Sequence, residues 1–356
     1  MKADARVVVQ SDQDGPLSIV EASVPDPGPH QVRVKLLATG LCQSQVWWMH
    51  LPRQAPVLFG HEGYGVATAV GAAVTGVAEG DPVLVTWVPR QARDGRAPEA
   101  AGLRLPDGVV ARSPNVYTWA DHCLADELYV KPIRGRPADP LLSIVGCAVI
   151  TGAGSVVGAG AVKRGESVAV FGVGGVGLSA VAAARVAGAE RIVAVDVDAG
   201  KLALARRFGA TDGVDSRDGP PSEAILRMKP LRCGCHPGVD VAIDCVALPE
   251  VTHQALASLR AGRLGVERGG RCVLVGIPKQ PLELDTLSML MKEQTLAGAL
   301  AGSCAQARID DFLDWYRDGL LDLSALVTDR FRFDEIPAAA DALARGRIKG
   351  RAIAVT

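Results

Sequence analysis

Apolar and charged positions alternate in the first part of the chain. Val32, Val34 and Leu36 are separated by Arg33 and Lys35, the period-two pattern of a strand with one buried face. Residues 64–70 and 82–85 continue as strands, with a turn at Gly80-Asp81, so the first ~140 residues read as mostly β. Residues 88–115 interrupt the pattern. Asp94-Gly95, Pro98, Pro106, Asp107-Gly108 and Pro114 mark them as a polar loop region. From about residue 146 to residue 300, short uncharged runs alternate with longer helical stretches, which implies a doubly wound parallel sheet. Its predicted strands are 168–171, 191–195, 213–215, 239–244, 271–276 and 295–299, with a helix over 178–187 that ends at Gly188. Helices near 309–317 and 336–344 and a strand at 350–355 close the chain.

The turn after the first parallel strand is the most specific signal. Gly172, Gly174 and Gly177, with Gly175 and Val176 between them, follow the uncharged run Val168 to Phe171 and open an Ala-rich helix. Three glycines at this spacing allow a tight turn, close approach of backbone to a pyrophosphate, and close packing of helix on strand. The helix N-terminus offers unpaired N–H groups to the phosphates. Asp196 stands nineteen residues after Gly177, at the end of the next strand, where a carboxylate binds a ribose 2′-hydroxyl. A carboxylate repels a 2′-phosphate, so the expected cofactor is NAD, not NADP.

Composition narrows the function further. With 356 residues the chain has room for two domains. Lys+Arg total 38 and Asp+Glu 39, a net charge of −1, which gives no electrostatic basis for binding nucleic acid or an anionic membrane. The N-terminal residues hold no apolar signal region. Eight cysteines are scattered with no framework spacing, which points to a reducing cytoplasm and to thiols used as metal ligands or packing residues. Cys233-Gly234-Cys235-His236 has the look of a metal cluster but lacks a second ligand pair, and is expected to hold none.

Three soft-metal donors sit in distinctive settings: Cys42 in Gly40-Leu41-Cys42-Gln43-Ser44, His61 in Gly60-His61-Glu62-Gly63, and Cys147 before Thr151-Gly152-Ala153-Gly154. Two thiolates and an imidazole leave a tetrahedral zinc with one open position, as a catalytic site requires. Spacing alone does not bring the three together. With the glycine turn, these segments make the chain resemble the zinc-dependent medium-chain alcohol dehydrogenases over essentially its whole length.

The resemblance implies an α/β fold, with a Rossmann doubly wound parallel sheet inserted into a β-rich GroES-like catalytic domain. Residues 1–147 and 301–356 would form the catalytic domain and 148–300 the NAD-binding domain. It implies Cys42, His61 and Cys147 as zinc ligands, Glu62 behind the metal, and Ser44 as the hydroxyl that takes the alcohol proton. Thr151, Val176, Asp196, Lys201, Ile277 and Arg351 would contact the cofactor, Arg351 at the pyrophosphate. The implied reaction is hydride transfer between NAD(H) and an alcohol or aldehyde, with the metal as Lewis acid. The implied assembly is a homodimer or homotetramer, joined at the sheet edge near 295–300.

The chain departs from the family pattern in three places. Residues 88–115 contain no cysteine, whereas many relatives hold a second, structural zinc there, so one zinc per chain is expected. Trp47 occupies the position of the usual relay histidine and cannot accept a proton; His50, one turn on, is the substitute to consider. Gln45 stands where relatives carry an acid that orients the zinc-bound histidine. By the same resemblance Trp47, Trp87 and Trp119 line the substrate pocket. Large rigid rings favour slender apolar substrates, so a primary allylic or aromatic alcohol is expected. Two alternatives remain at this point: NAD(P)H-dependent reduction of a conjugated carbon–carbon double bond, and a non-catalytic cofactor-binding protein.

Overall fold

The computed structural model describes residues 4–229 and 237–356. Cys233, Cys235 and His236 lie outside the described residues. The chain forms two compact units. The first comprises Met1–Cys147, Ala305–Ile309 and Leu323–Thr356, and the second Ala148–Cys304 and Asp310–Asp322.

In the first unit the long strand Gln31–Leu41 is the hub. It pairs antiparallel with Glu62–Val70, His122–Asp126 and the final strand Arg351–Val355. The alternation seen in the sequence is realised there: Val32, Val34 and Leu36 have no accessible surface and join Val7, Val83 and Val85 in the core. A second, smaller sheet contains Ser18–Ala22, Ala5–Gln10, Val57–Leu58, Val110–Arg112 and Gly102–Arg104.

Its last two strands correct the reading of 88–115 as loop throughout. Gly102–Arg104 and Val110–Arg112 form a hairpin, closed by the Leu105 N–H donating to the Val109 carbonyl at 2.8 Å. Alternating Leu103, Leu105, Val109 and Ala111 around Asp107-Gly108 carried that signal, but it was outweighed by the neighbouring prolines. The remainder of this lobe is held by charge. Arg96 grips the buried Asp126 with two hydrogen bonds, at 2.6 and 3.1 Å, and Arg90 pairs with Glu127. The Glu99 N–H also donates to Asp126, at 3.0 Å. Gln306 donates its amide to the Val88 and Leu128 carbonyls at 2.8 and 2.9 Å.

The second unit is a six-stranded parallel sheet. Counted along the chain, its strands Ser167–Phe171, Arg191–Asp196, Asp212–Asp215, Val241–Asp244, Arg271–Leu274 and Thr295–Gly298 lie in the order 3-2-1-4-5-6. That is the doubly wound order with a switch point beside the first strand. The residues with helical periodicity form the crossovers Gly175–Val186, Ala199–Phe208 and Pro249–Ala257. Asp198 caps the second of these by accepting from the Gly200 and Lys201 N–H groups, worth about 1 kcal/mol. Residues 310–322, which carry most of the helix Ile309–Arg317, cluster with this unit and not with the first. Arg185 donates to the Leu320 carbonyl at 2.6 Å, and Arg207 lies 3.9 Å from Asp322.

Candidate metal centre and nucleotide loop

Cys42, His61, Glu62 and Cys147, all in the first unit, bring their donor atoms within 4.8 Å of one another. Cys42 follows the hub strand and precedes the short helix Gln43–Met49. His61 and Glu62 follow Gly60 at the start of the neighbouring strand. Gly60 has φ +86°, and a Cβ there would lie 2.4 Å from the Trp119 nitrogen, so only glycine makes this turn. Cys147 lies on a π-helical turn, Val145–Val149. The residues are 8, 7, 0 and 4 % exposed in chain order.

The two sulfur atoms are 3.8 Å apart, and His61 Nε2 is 3.1 Å from Cys147 Sγ. Two 2.3 Å zinc–sulfur bonds at the tetrahedral angle span about 3.8 Å. Donor types and spacing therefore both fit zinc. The hydrogen bond from Cys147 holds the Cys42 thiol well below its usual range; burial opposes this, and Arg351 and His61 add to the lowering. Metal binding needs the deprotonated form.

Around these donors the chain supplies supports. The Ser44 hydroxyl donates to Cys42 Sγ at 3.2 Å. Gln45 lies 2.7 Å from His61 Nδ1 and accepts the Gly60 N–H at 2.7 Å. Thr39 and Thr118 both donate to the Glu62 carbonyl, at 2.9 and 3.1 Å. The Gly60 and Thr118 contacts had no local signature in the sequence. Arg351, placed at the pyrophosphate by resemblance, forms a buried ion pair with Glu62, and its Nε has no partner. The final strand puts it there by setting Ala352 opposite Leu41.

The tryptophans separate. Trp87 is half-buried with its ring 5.9 Å from that of His61, and its buried indole N–H has no partner. Trp47 is half-buried and packs edge-to-face on Trp48 at 6.1 Å. Trp119 corrects the sequence-based expectation. It has no accessible surface, stacks on Phe59 at 5.7 Å and donates its indole N–H to the Gly40 carbonyl at 3.1 Å. A side chain with no accessible surface lines no cavity; Trp119 is core. His50 is exposed and paired with Asp14 at 2.5 Å, so its ring is engaged at the surface.

The glycine turn belongs to the second unit. Gly172 has φ +81°, and a Cβ on Gly177 would fall 2.0 Å from the Gly172 carbonyl, which fixes the close strand–helix packing. A Cβ on Gly174 would meet nothing within 4 Å, so the backbone there faces open space, as a pyrophosphate cradle requires. Gly175 begins the helix and Val176 is half-buried beside it. Asp196 accepts the Val173 N–H at 2.9 Å and the Asp198 N–H at 3.0 Å, which locks the strand end to the turn. A cavity of about 510 Å³ opens here, lined among others by Gly172, Asp196, Ser216, Pro220, Val246 and Val251. Lys201 lies in the first turn of the following helix, Ile277 is 38 % exposed, and the buried Thr151 hydroxyl has no partner. The open backbone at Gly174, the orphaned hydroxyl and the acid at the strand end all fit a dinucleotide.

Comparison with known proteins agrees with this arrangement. The zinc-binding dehydrogenase family matches residues 175–318, and the alcohol dehydrogenase GroES-like domain matches residues 28–134. Alcohol dehydrogenase 1 of Zea mays is 31 % identical, over 93 % of this chain and 92 % of its own length. The crystal structure of an alcohol dehydrogenase zinc-binding domain protein from Burkholderia ambifaria superposes with a TM-score of 0.87 at 30 % identity, covering 99 % of both chains. Benzyl alcohol dehydrogenase from Acinetobacter calcoaceticus superposes with a TM-score of 0.85 at 25 % identity, covering 100 % of this chain and 99 % of that one. The chain belongs to the zinc-dependent medium-chain dehydrogenase/reductase family, whose GroES-like and Rossmann-type domains correspond to its two units.

Proposed function

We propose that this protein interconverts primary aromatic or allylic alcohols and their aldehydes, using one zinc ion and NAD(H). The observation that carries the reading is the convergence of Cys42, His61 and Cys147 in one buried cluster. These three would hold the metal, and the glycine turn with Asp196 would hold the cofactor. When bound, zinc supplies a Lewis acid for the alcohol oxygen and the nicotinamide an acceptor for hydride. The chain does the rest. Gln45 fixes the His61 ring, and Arg351 balances the Glu62 charge in the interior. To the Ser44 hydroxyl, beside Cys42, we assign the step of taking the alcohol proton. Trp47 cannot pass that proton on, and His50 is tied to Asp14, so Ser44 is the last side chain of the relay.

The finer assignments rest on particular residues. Asp196 beside the cavity disfavours a 2′-phosphate, which supports NAD. Among the described residues one donor group suits a metal, and the cysteine-free lobe is held by Arg90 and Arg96, which supports a single zinc. Trp87 beside His61, and Trp47 on the short helix that follows Cys42, support a narrow aromatic pocket. The structural likeness to a benzyl alcohol dehydrogenase points the same way. Reduction of a conjugated double bond calls for no metal donors at the reacting oxygen, and the complete donor set favours the alcohol reaction. Steady-state kinetics test the reading. Benzyl or cinnamyl alcohol with NAD should exceed a bulky secondary alcohol, and NADP, by at least ~10-fold in kcat/KM, a modest 1.4 kcal/mol. Preference for either of the latter would overturn that assignment.

The proposed assembly is a dimer through the sheet edge. Thr295–Gly298 is the last strand of the parallel sheet. The preceding helix, Thr286–Met291, buries none of its residues; Leu287, Leu290 and Met291 are 67–74 % exposed, and Leu300 is 77 % exposed. Edge strands with apolar flanks recruit a second chain. Leu290→Glu with Met291→Glu should convert the dimer into a monomer in sedimentation velocity. A wild-type monomer, or an unchanged mass in the variant, would count against this interface.

A further inference from the structure

The buried contacts of Gln45 determine which nitrogen of His61 carries the proton. The Gly60 N–H is a backbone donor and cannot exchange roles. It donates to Gln45 Oε1 at 2.7 Å, so Gln45 turns its NH₂ toward His61 Nδ1, also at 2.7 Å. Nδ1 must then accept, and the neutral ring carries its proton on Nε2. Nε2 is the nitrogen that faces the cluster, 3.1 Å from Cys147 Sγ. A metal needs the Nε2 lone pair. Its uptake must therefore displace the Nε2 proton, which reappears on Nδ1, where the Gln45 NH₂ opposes it. Turning the amide over relieves that clash but points NH₂ at the Gly60 N–H. Gln45, Gly60 and His61 are all buried, so water cannot supply the missing acceptor, and one donor, the Gly60 N–H or the His61 Nδ1–H, is left unsatisfied in either arrangement. A carboxylate at this position would accept at both ends.

We propose that Gln45 holds His61 in the tautomer that closes its metal-facing nitrogen, making this a centre that binds zinc more weakly, and releases it more readily, than the same donors backed by an acid. This rests on reading the cluster as a metal centre.

The test uses the full-length protein stripped with a chelator, and the isosteric variant Gln45→Glu. Competition of zinc against a chromophoric chelator should give a zinc Kd about 10- to 100-fold lower in the variant, with slower transfer of zinc to the chelator. Nitrogen-15 spectra of His61 separate this effect from the added charge. Metal-free wild type should show a protonated Nε2 and a bare Nδ1, and Gln45→Glu a protonated Nδ1. An equal or weaker zinc affinity in the variant overturns the proposal, and so does a protonated Nδ1 in the metal-free wild type. If the variant does not fold, the wild-type spectrum decides alone. Failure of the wild type to bind zinc at all removes the metal-centre reading, and the proposal with it.

Discussion

Replacing Cys147 by Ala should leave a folded protein with almost no zinc and with alcohol turnover reduced by ~10³-fold or more. Cys147 contacts both of the other donors, His61 at 3.1 Å and Cys42 at 3.8 Å. Without it, one thiolate and one imidazole remain, too few for a stable tetrahedral site. The Lewis acid contributes several kcal/mol at the transition state, and each 1.36 kcal/mol is tenfold in rate, which sets the size of the loss. The structural cost is small by comparison. One buried sulfur is worth on the order of 1 kcal/mol in packing, and Ala suits the helical turn that carries it. Metal analysis, circular dichroism and steady-state rates on the same preparation check the result. A variant that kept its zinc and stayed within tenfold of wild-type turnover would remove Cys147 from the centre.

Asp126→Asn should release the 88–101 lobe. Burial alone would raise the Asp126 carboxyl pKa, but hydrogen bonds from Arg96 and from the Glu99 and Leu128 N–H groups outweigh it and hold the pKa below the usual carboxylate value. The substitution leaves Arg96, 20 % exposed, facing a neutral amide in place of a fork of two oxygens. Breaking a buried pair costs about 3–5 kcal/mol, and the residual exposure of Arg96 places this case near the low end. Trypsin should then cut at Arg90, Arg93 or Arg96, where wild type should resist it, and the melting temperature should fall by several degrees. The pH dependence has a definite sign. A depressed carboxyl stabilises above its unfolded pKa of about 3.9 and loses that contribution as pH falls through its folded value. By amide hydrogen exchange, wild type should therefore lose protection of the lobe only below about pH 4, and Asp126→Asn should lack it already at pH 7. Equal resistance of the two proteins at pH 7 would mean that the lobe is held by something else.

What could be read from the sequence follows the range of each interaction. The nucleotide loop was legible because strand, glycine turn, helix and Asp196 are contiguous, and each glycine answers a local steric demand. The metal donors were recognisable one by one, but Cys42, His61 and Cys147 converge through strand pairing and a helical turn that no spacing encodes. Trp119 was misread because a tryptophan beside a site and one in the core look alike until burial is known. The Gly102–Arg112 hairpin was hidden by nearby prolines. The bond between Gln45 and the Gly60 N–H was out of reach: it joins a side chain to a backbone group fifteen residues away, and backbone donors have no letter in the sequence.

The hub strand Gln31–Leu41 receives a neighbour, Arg351–Val355, that is made roughly three hundred residues later. Each strand of the parallel sheet, by contrast, finds its partners among residues already emerging or soon to follow. On the ribosome, the second unit can close while the first still shows an open edge that must stay shielded until the final strand leaves the exit tunnel. The order of synthesis thus makes the enclosed insert the early folder and leaves its host, with the metal donors and their buried Arg351 counter-charge, to be completed last.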